Sequence, residues 1–117
     1  MGIAACQAAY EGGSTWLEEL KVYLKGNLDY LRTFLNERIP QIKLIEPEGT
    51  YLIWLDMREL GLTPEEQDRL MVENAKLWLD TGTMFGEEGA GFERINIACP
   101  RATLEEALLR LENAVVK

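Results

Sequence analysis

Arginine in a short link between a strand and a helix is well placed to grip a carboxylate, because its planar fork donates two parallel hydrogen bonds from a rigid base. The run Phe92 to Arg101 has that form. Ile95, Ile97 and Cys99 alternate with Arg94, Asn96 and Ala98, the period of a half-buried strand. Pro100 cannot donate to a sheet and ends it. Thr103, followed three positions later by Glu106, has the form of a capping box that opens a helix. This pattern predicts Arg101 in the connection between strand and helix. The alternative for Arg101 is a surface ion pair with an acid such as Glu105. Arg94 and Asn96 share the strand face that leads to Arg101 and are candidates to orient it or to face a cleft. Tyr51, just after a predicted turn, is a further candidate, with core packing as its alternative.

Other chemistries find little support. The chain has no histidine, which excludes Ser-His and Cys-His nucleophile pairs and the commonest zinc sets within it. No metal site is expected. Cys6 and Cys99 are not in paired or metal-type spacing and read as two buried thiols of a reducing cytoplasm. The acid pairs Glu18-Glu19, Glu65-Glu66, Glu87-Glu88 and Glu105-Glu106 fall in helix first turns or loops, where they complement helix dipoles or meet water. Gly82 to Gly91 holds four glycines, yet it leads into a strand and lacks both nucleotide-binding glycine patterns. By itself it reads as a flexible loop.

The elements that must position these groups follow from periodicity. Ile3 to Tyr10 reads as a truncated helix end stopped by Gly12-Gly13. Thr15 and Glu18 suggest a cap for one long helix, with Trp16, Leu20, Tyr23, Leu24, Leu28, Leu31 and Leu35 as its stripe and Pro40 beyond its end. Lys43 to Glu46 and Tyr51 to Asp56 read as an antiparallel hairpin. Thr63, Pro64 and Glu66 start a helix whose buried side is Leu70, Met71, Leu77 and Trp78. Leu79 to Thr81 gives a brief strand. The last helix follows Thr103, with Leu104, Leu108 and Leu111 on its apolar stripe. The sum is an α+β fold: a small mixed or antiparallel sheet covered by helices, with one long N-terminal helix.

The 117 residues, 47% hydrophobic and 27% charged, make one domain, residues 1–117, able to bury roughly two-thirds of its unfolded surface. No apolar run approaches the ~20 residues that span a bilayer, so no membrane partner is expected. A net charge of -8 repels phosphate backbones and argues against nucleic acid.

Glu48-Gly49-Thr50-Tyr51-Leu52-Ile53-Trp54-Leu55-Asp56, then Gly82-Thr83-Met84-Phe85-Gly86, then Gly89-Ala90-Gly91-Phe92 running into Arg94, Asn96, Ala98, Cys99, Pro100 and Arg101 resembles the C-terminal small domain of fold-type I pyridoxal-phosphate enzymes. Within them it is similar to the class I/II aminotransferase branch that includes the cystathionine beta-lyase (C–S lyase) enzymes. The resemblance covers essentially the whole chain. It implies that Arg101 binds the α-carboxylate of an amino-acid substrate and that Phe85 and Gly86 line the active-site mouth. Of Lys21, Lys25, Lys43, Lys76 and Lys117, none matches the family's catalytic lysine motif, which lies in a large domain preceding this one. The resemblance therefore implies a C-terminal fragment that holds no catalytic residue and binds no cofactor. Pyridoxal 5'-phosphate belongs to the full-length parent, a homodimer, and the isolated chain is inactive. The competing class is a free-standing, non-catalytic α+β interaction or regulatory module.

Overall fold

The computed structural model describes residues 1–116. Two N-terminal helices, α1 (Gly2–Gly12) and α2 (Ser14–Arg38), lead into a four-stranded sheet. Its strands are β1 (Lys43–Leu44), β2 (Leu52–Asp56), β3 (Asp80–Thr81) and β4 (Phe92–Asn96). Between β2 and β3 lie α3 (Pro64–Asp68) and a π-helical segment, Arg69–Asn74. The chain closes with α4 (Arg101–Val116). The strand order is β1-β2-β4-β3, every pair antiparallel. The expected α+β fold with its hairpin is present.

Alternation along β2 and β4 sends Ile53, Leu55 and Ile95 to one face, where they meet Leu31, Phe34 and Leu35 of α2 and Leu104, Leu108 and Leu111 of α4. This is the core, and it lies on one side of the sheet. The other face carries Leu52, Trp54 and Asp56 of β2 opposite Asn96, Arg94 and Phe92 of β4. No helix covers it in full, so these side chains are half-buried or exposed.

Several helix starts differ from expectation. Thr15 and Glu18 form no cap: α2 begins at Ser14 behind Gly13, whose N–H donates to Ala9 O and whose carbonyl accepts from Leu17 N–H. The ladder thus runs almost unbroken from α1 to α2, and Glu18 pairs with Lys21 instead. Thr63 does form the predicted box, donating and accepting with Glu66 over 2.9 and 3.2 Å. At the far end α4 starts at Arg101 itself, with Pro100 O accepting from Thr103 and Leu104. Arg101 is therefore in the first helical turn, not in the link, and Thr103 is not the cap.

Burial corrects three more expectations. Trp78 is 91% exposed. It lies beyond the π-helical segment, past Lys76 at φ 56°, so helical spacing no longer applies; Leu77 and Leu79 turn inward and Trp78 turns out. Cys6 is exposed because α1 buries nothing. On α2 the N-terminal part of the stripe, Trp16 and Tyr23, stays at the surface. A radius of gyration of 16.2 Å, against about 13 Å for a compact domain of this length, reflects this protruding N-terminal arm. No described helix is long and apolar enough to cross a membrane.

Candidate functional site

The junction of β4 and α4 is organised by a residue that the sequence reading passed over. Asn27 of α2 is fully buried. Its Nδ2 donates to Ile97 O at 2.8 Å and to Cys99 O at 3.0 Å, and its Oδ1 accepts from Arg101 Nε at 2.8 Å. Both of its donors and its carbonyl are used, which is what a buried amide requires. A signal existed in the chain: Asn27 stands three residues after Leu24 and four before Leu31, on the apolar stripe, where an amide needs a specific partner.

Arg101 is held on several sides. Its backbone N–H donates to Tyr23 Oη at 2.7 Å, and its guanidinium carbon lies 5.0 Å from the centre of the Tyr30 ring. Gly26 admits the group closely: a β-carbon there would stand 3.1 Å from an Arg101 terminal nitrogen. Among the described residues the two terminal nitrogens have no hydrogen-bond or ion-pair acceptor, and Glu105 is not its partner. One edge of the fork is fixed and the outer edge is free. That arrangement can receive a carboxylate end-on.

Arg94 lies apart from this junction, on the uncovered face of the sheet. Its Nε and one terminal nitrogen reach Asp80 Oδ2 at 3.1 and 2.8 Å, and its guanidinium stacks 4.4 Å over the Phe85 ring. Phe85 in turn meets Trp54 edge-on at 5.3 Å, and Phe92 also meets that indole edge-on, at 6.2 Å. Trp54, Phe85 and Phe92 line a hollow of about 390 Å³ with Ile45, Glu88 and Gly89. So Arg94 and Phe85 are in contact, whereas Arg101 contacts α2 and not them.

Asn96 is exposed on the same face as Arg94, and its Oδ1 accepts from Ala98 N–H at 2.8 Å, bracing the turn after β4. Tyr51 is exposed immediately before β2; its carbonyl accepts from Ile97 N–H. Gly86 has φ 132°, a region open only to glycine without strain. The glycine-rich loop is not featureless. It forms two short 3₁₀ turns, and Gly82 and Gly89 approach so closely that a β-carbon on either would stand 2.0 Å from the carbonyl oxygen of the other.

Among the described residues no three metal-ligating side chains converge. Lys21, Lys25 and Lys43 are exposed and paired with Glu18, Asp29 and Glu59. Lys76 is exposed, and Lys117 lies outside the described residues. None of the four described lysines has the enclosed setting that a covalently bound carbonyl cofactor needs.

No family model matches the chain. Known proteins do. It is 38% identical to cystathionine beta-lyase PatB of Bacillus subtilis over 113 residues, 97% of this chain and 29% of that protein. It is likewise 38% identical to protein MalY of Escherichia coli, covering 98% of this chain and 30% of that one. Cystalysin from Treponema denticola, a structure containing pyridoxal 5'-phosphate, superposes with a TM-score of 0.94 at 35% identity, over 98% of this chain and 29% of cystalysin. A pyridoxal-phosphate-bound aminotransferase structure from Clostridium difficile gives 0.90 at 46% identity, over 92% and 28%. The chain spans 29% and 30% of the length of these two curated relatives. In sequence and fold it corresponds to the C-terminal part of aminotransferase-fold cystathionine beta-lyases.

Proposed function

We propose that this chain is the substrate-carboxylate-binding C-terminal domain of a longer pyridoxal-phosphate-dependent enzyme, an aminotransferase or C–S beta-lyase acting on amino acids. Inside such a parent, a cytoplasmic homodimer, the cofactor supplies an electron sink for the bonds at the substrate α-carbon. The residues of this chain do not fit as its holders, since every described lysine is exposed, so cofactor and Schiff-base lysine belong to a large domain outside these 117 residues. The isolated chain is then inactive. Its own task is to fix the substrate carboxylate, and with it the orientation of the bond to be broken.

The observation that carries this reading is the half-engaged guanidinium of Arg101. Asn27 and Tyr30 immobilise one edge and one face, leaving two donors for a carboxylate. A charge-assisted hydrogen bond contributes about 1.5–3 kcal/mol, so Arg101→Ala in the full-length enzyme is expected to raise KM for amino acids roughly ten- to a hundredfold. The absorbance of the bound cofactor stays unchanged.

A second reading assigns the grip to Arg94. It is favoured by the aromatic hollow: Arg94 is stacked on Phe85, which lines it, and already holds a carboxylate, that of the half-exposed Asp80. An incoming α-carboxylate would replace Asp80. Arg94→Ala and Arg101→Ala, assayed side by side, separate the two: the variant with raised KM and intact cofactor spectrum identifies the grip. If both retain the parent KM, the carboxylate-binding role fails.

A further inference from the structure

A second concave region lies on the opposite side of the sheet from Arg94, between the α3 and π-helical segments and strands β3 and β4. It is a groove of about 580 Å³ whose apolar wall includes Met71, Leu77, Trp78 and Met84. At its inner end is Glu93, 1% exposed. Gln67 donates to Glu93 Oε1 at 2.9 Å and to Phe92 O at 3.1 Å, which uses both amide hydrogens. Among the described residues, Glu93 Oε2 receives no hydrogen bond and no cation lies within ion-pair distance of the carboxyl. Since no fully buried side-chain oxygen lacks a partner, Oε2 keeps its remaining exposure, and the groove is the space that Glu93 lines.

A carboxyl so enclosed, without a counter-charge, is out of place in a protein interior. Burial raises its pKa, with Gln67 opposing and Asp68 and Asp80 adding to the rise. The charged groups that line the groove with it are Glu65, Asp68 and Arg69 from α3 and the start of the π-helical segment, and Glu73 from that segment; Asp80 is held by Arg94 on the other face of the sheet and acts on Glu93 only through its charge. Acids outnumber the single guanidinium, so the groove favours a positive occupant. Among the described residues no three ligating side chains gather to hold a metal ion. The walls are apolar and aromatic. Beside them runs a π-helical segment of six residues, a form that recurs at functional sites.

We propose that this groove binds a small organic ammonium ion carrying an apolar body, with Glu93 as its buried counter-ion and Trp78 as the wall that covers the body. The ammonium supplies the missing donor to Oε2, and its stem lies on Met71, Leu77 and Met84. Trp78, at 91% exposure, offers an open face for the stacking of a cation or ring. This site stands independently of the carboxylate grip, since none of its residues is used there.

The test employs 2-phenylethylammonium, with the neutral 2-phenylethanol as its equal in shape, titrated into chain labelled at the methionine methyl groups. Of the four methionines, Met71 and Met84 line the groove and Met57 lies in the core. The ammonium is expected to shift the Met71 and Met84 signals, not that of Met57, and to bind about tenfold or more tightly than the alcohol. Glu93→Gln, which keeps shape and the Gln67 neighbour, should abolish that preference. Trp78→Lys, at a position too exposed to affect folding, places a like charge at the rim and should also remove it. Equal affinity for ammonium and alcohol overturns the proposal. So does a preference that survives either substitution, or shifts confined to methionines outside the groove.

Discussion

Replacing Asn27 by leucine tests the reasoning most directly, because size is nearly kept and only hydrogen bonding is lost. Three groups lose their partner: Ile97 O, Cys99 O and Arg101 Nε. Each buried group left unsatisfied costs about 1–3 kcal/mol. Arg101 is half-buried and can turn toward water, so the two carbonyls dominate and the loss should fall near 3–5 kcal/mol. With a urea dependence of about 1–3 kcal/mol per molar, the unfolding midpoint followed by circular dichroism should drop by roughly 2 M. Asn113 provides the control. It also lies on a helix and donates to a carbonyl, Leu109 O at 2.9 Å, but is exposed, so Asn113→Leu should change stability by less than about 0.5 kcal/mol. A loss below about 1 kcal/mol for Asn27→Leu, or equal effects for the two asparagines, would refute the view that this amide fastens α2 to the β4–α4 junction.

Glu93→Gln should stabilise the chain at neutral pH. The folded pKa of Glu93 is raised by burial, so its contribution is favourable below its unfolded value of about 4.3 and is lost as pH rises through the folded value. Urea midpoints at pH 4 and pH 8 should show the variant's advantage growing with pH; an advantage that shrinks would reject the assignment. Gly82→Ala drives a methyl group to 2.0 Å from Gly89 O and should cost about 1–3 kcal/mol or more, whereas Gly49→Ala, with nothing within 4 Å, should be near neutral; thermal melts that fail to separate them contradict the close loop contact. Thr63→Ala removes the capping box of α3 and is expected to cost about 1 kcal/mol, read as a fall in midpoint without change in slope.

What could be read ahead of the coordinates was local. The box at Thr63 and Glu66 involves two hydrogen bonds within four residues, so it needs no distant partner and formed as written. The boxes at Thr15 and Thr103 were equally plausible on paper and did not form. At the second, α4 starts earlier because Tyr23, 78 residues away, supplies an acceptor for the free N–H of Arg101, a partner that spacing along the chain does not reveal. Trp78 shows the same limit: its outward position follows from the end of the π-helical segment and the turn at Lys76.

Alternation and helical periodicity by themselves fixed the element types, the β1–β2 hairpin and the apolar stripes of α2 and α4, since these depend on which side chains repeat on one face. The aminotransferase-like small domain was legible in a different way, through the resemblance of its ordered motifs to a known family. The tertiary structure alone separated Arg94 from Arg101, one on the uncovered sheet face and one clamped to α2. It alone paired Asn27 with carbonyls some 70 residues distant and enclosed Glu93 without a counter-charge. Those outcomes are set by burial and by partners brought together across the fold, and a charge or an amide shows its cost only when water has been removed from around it.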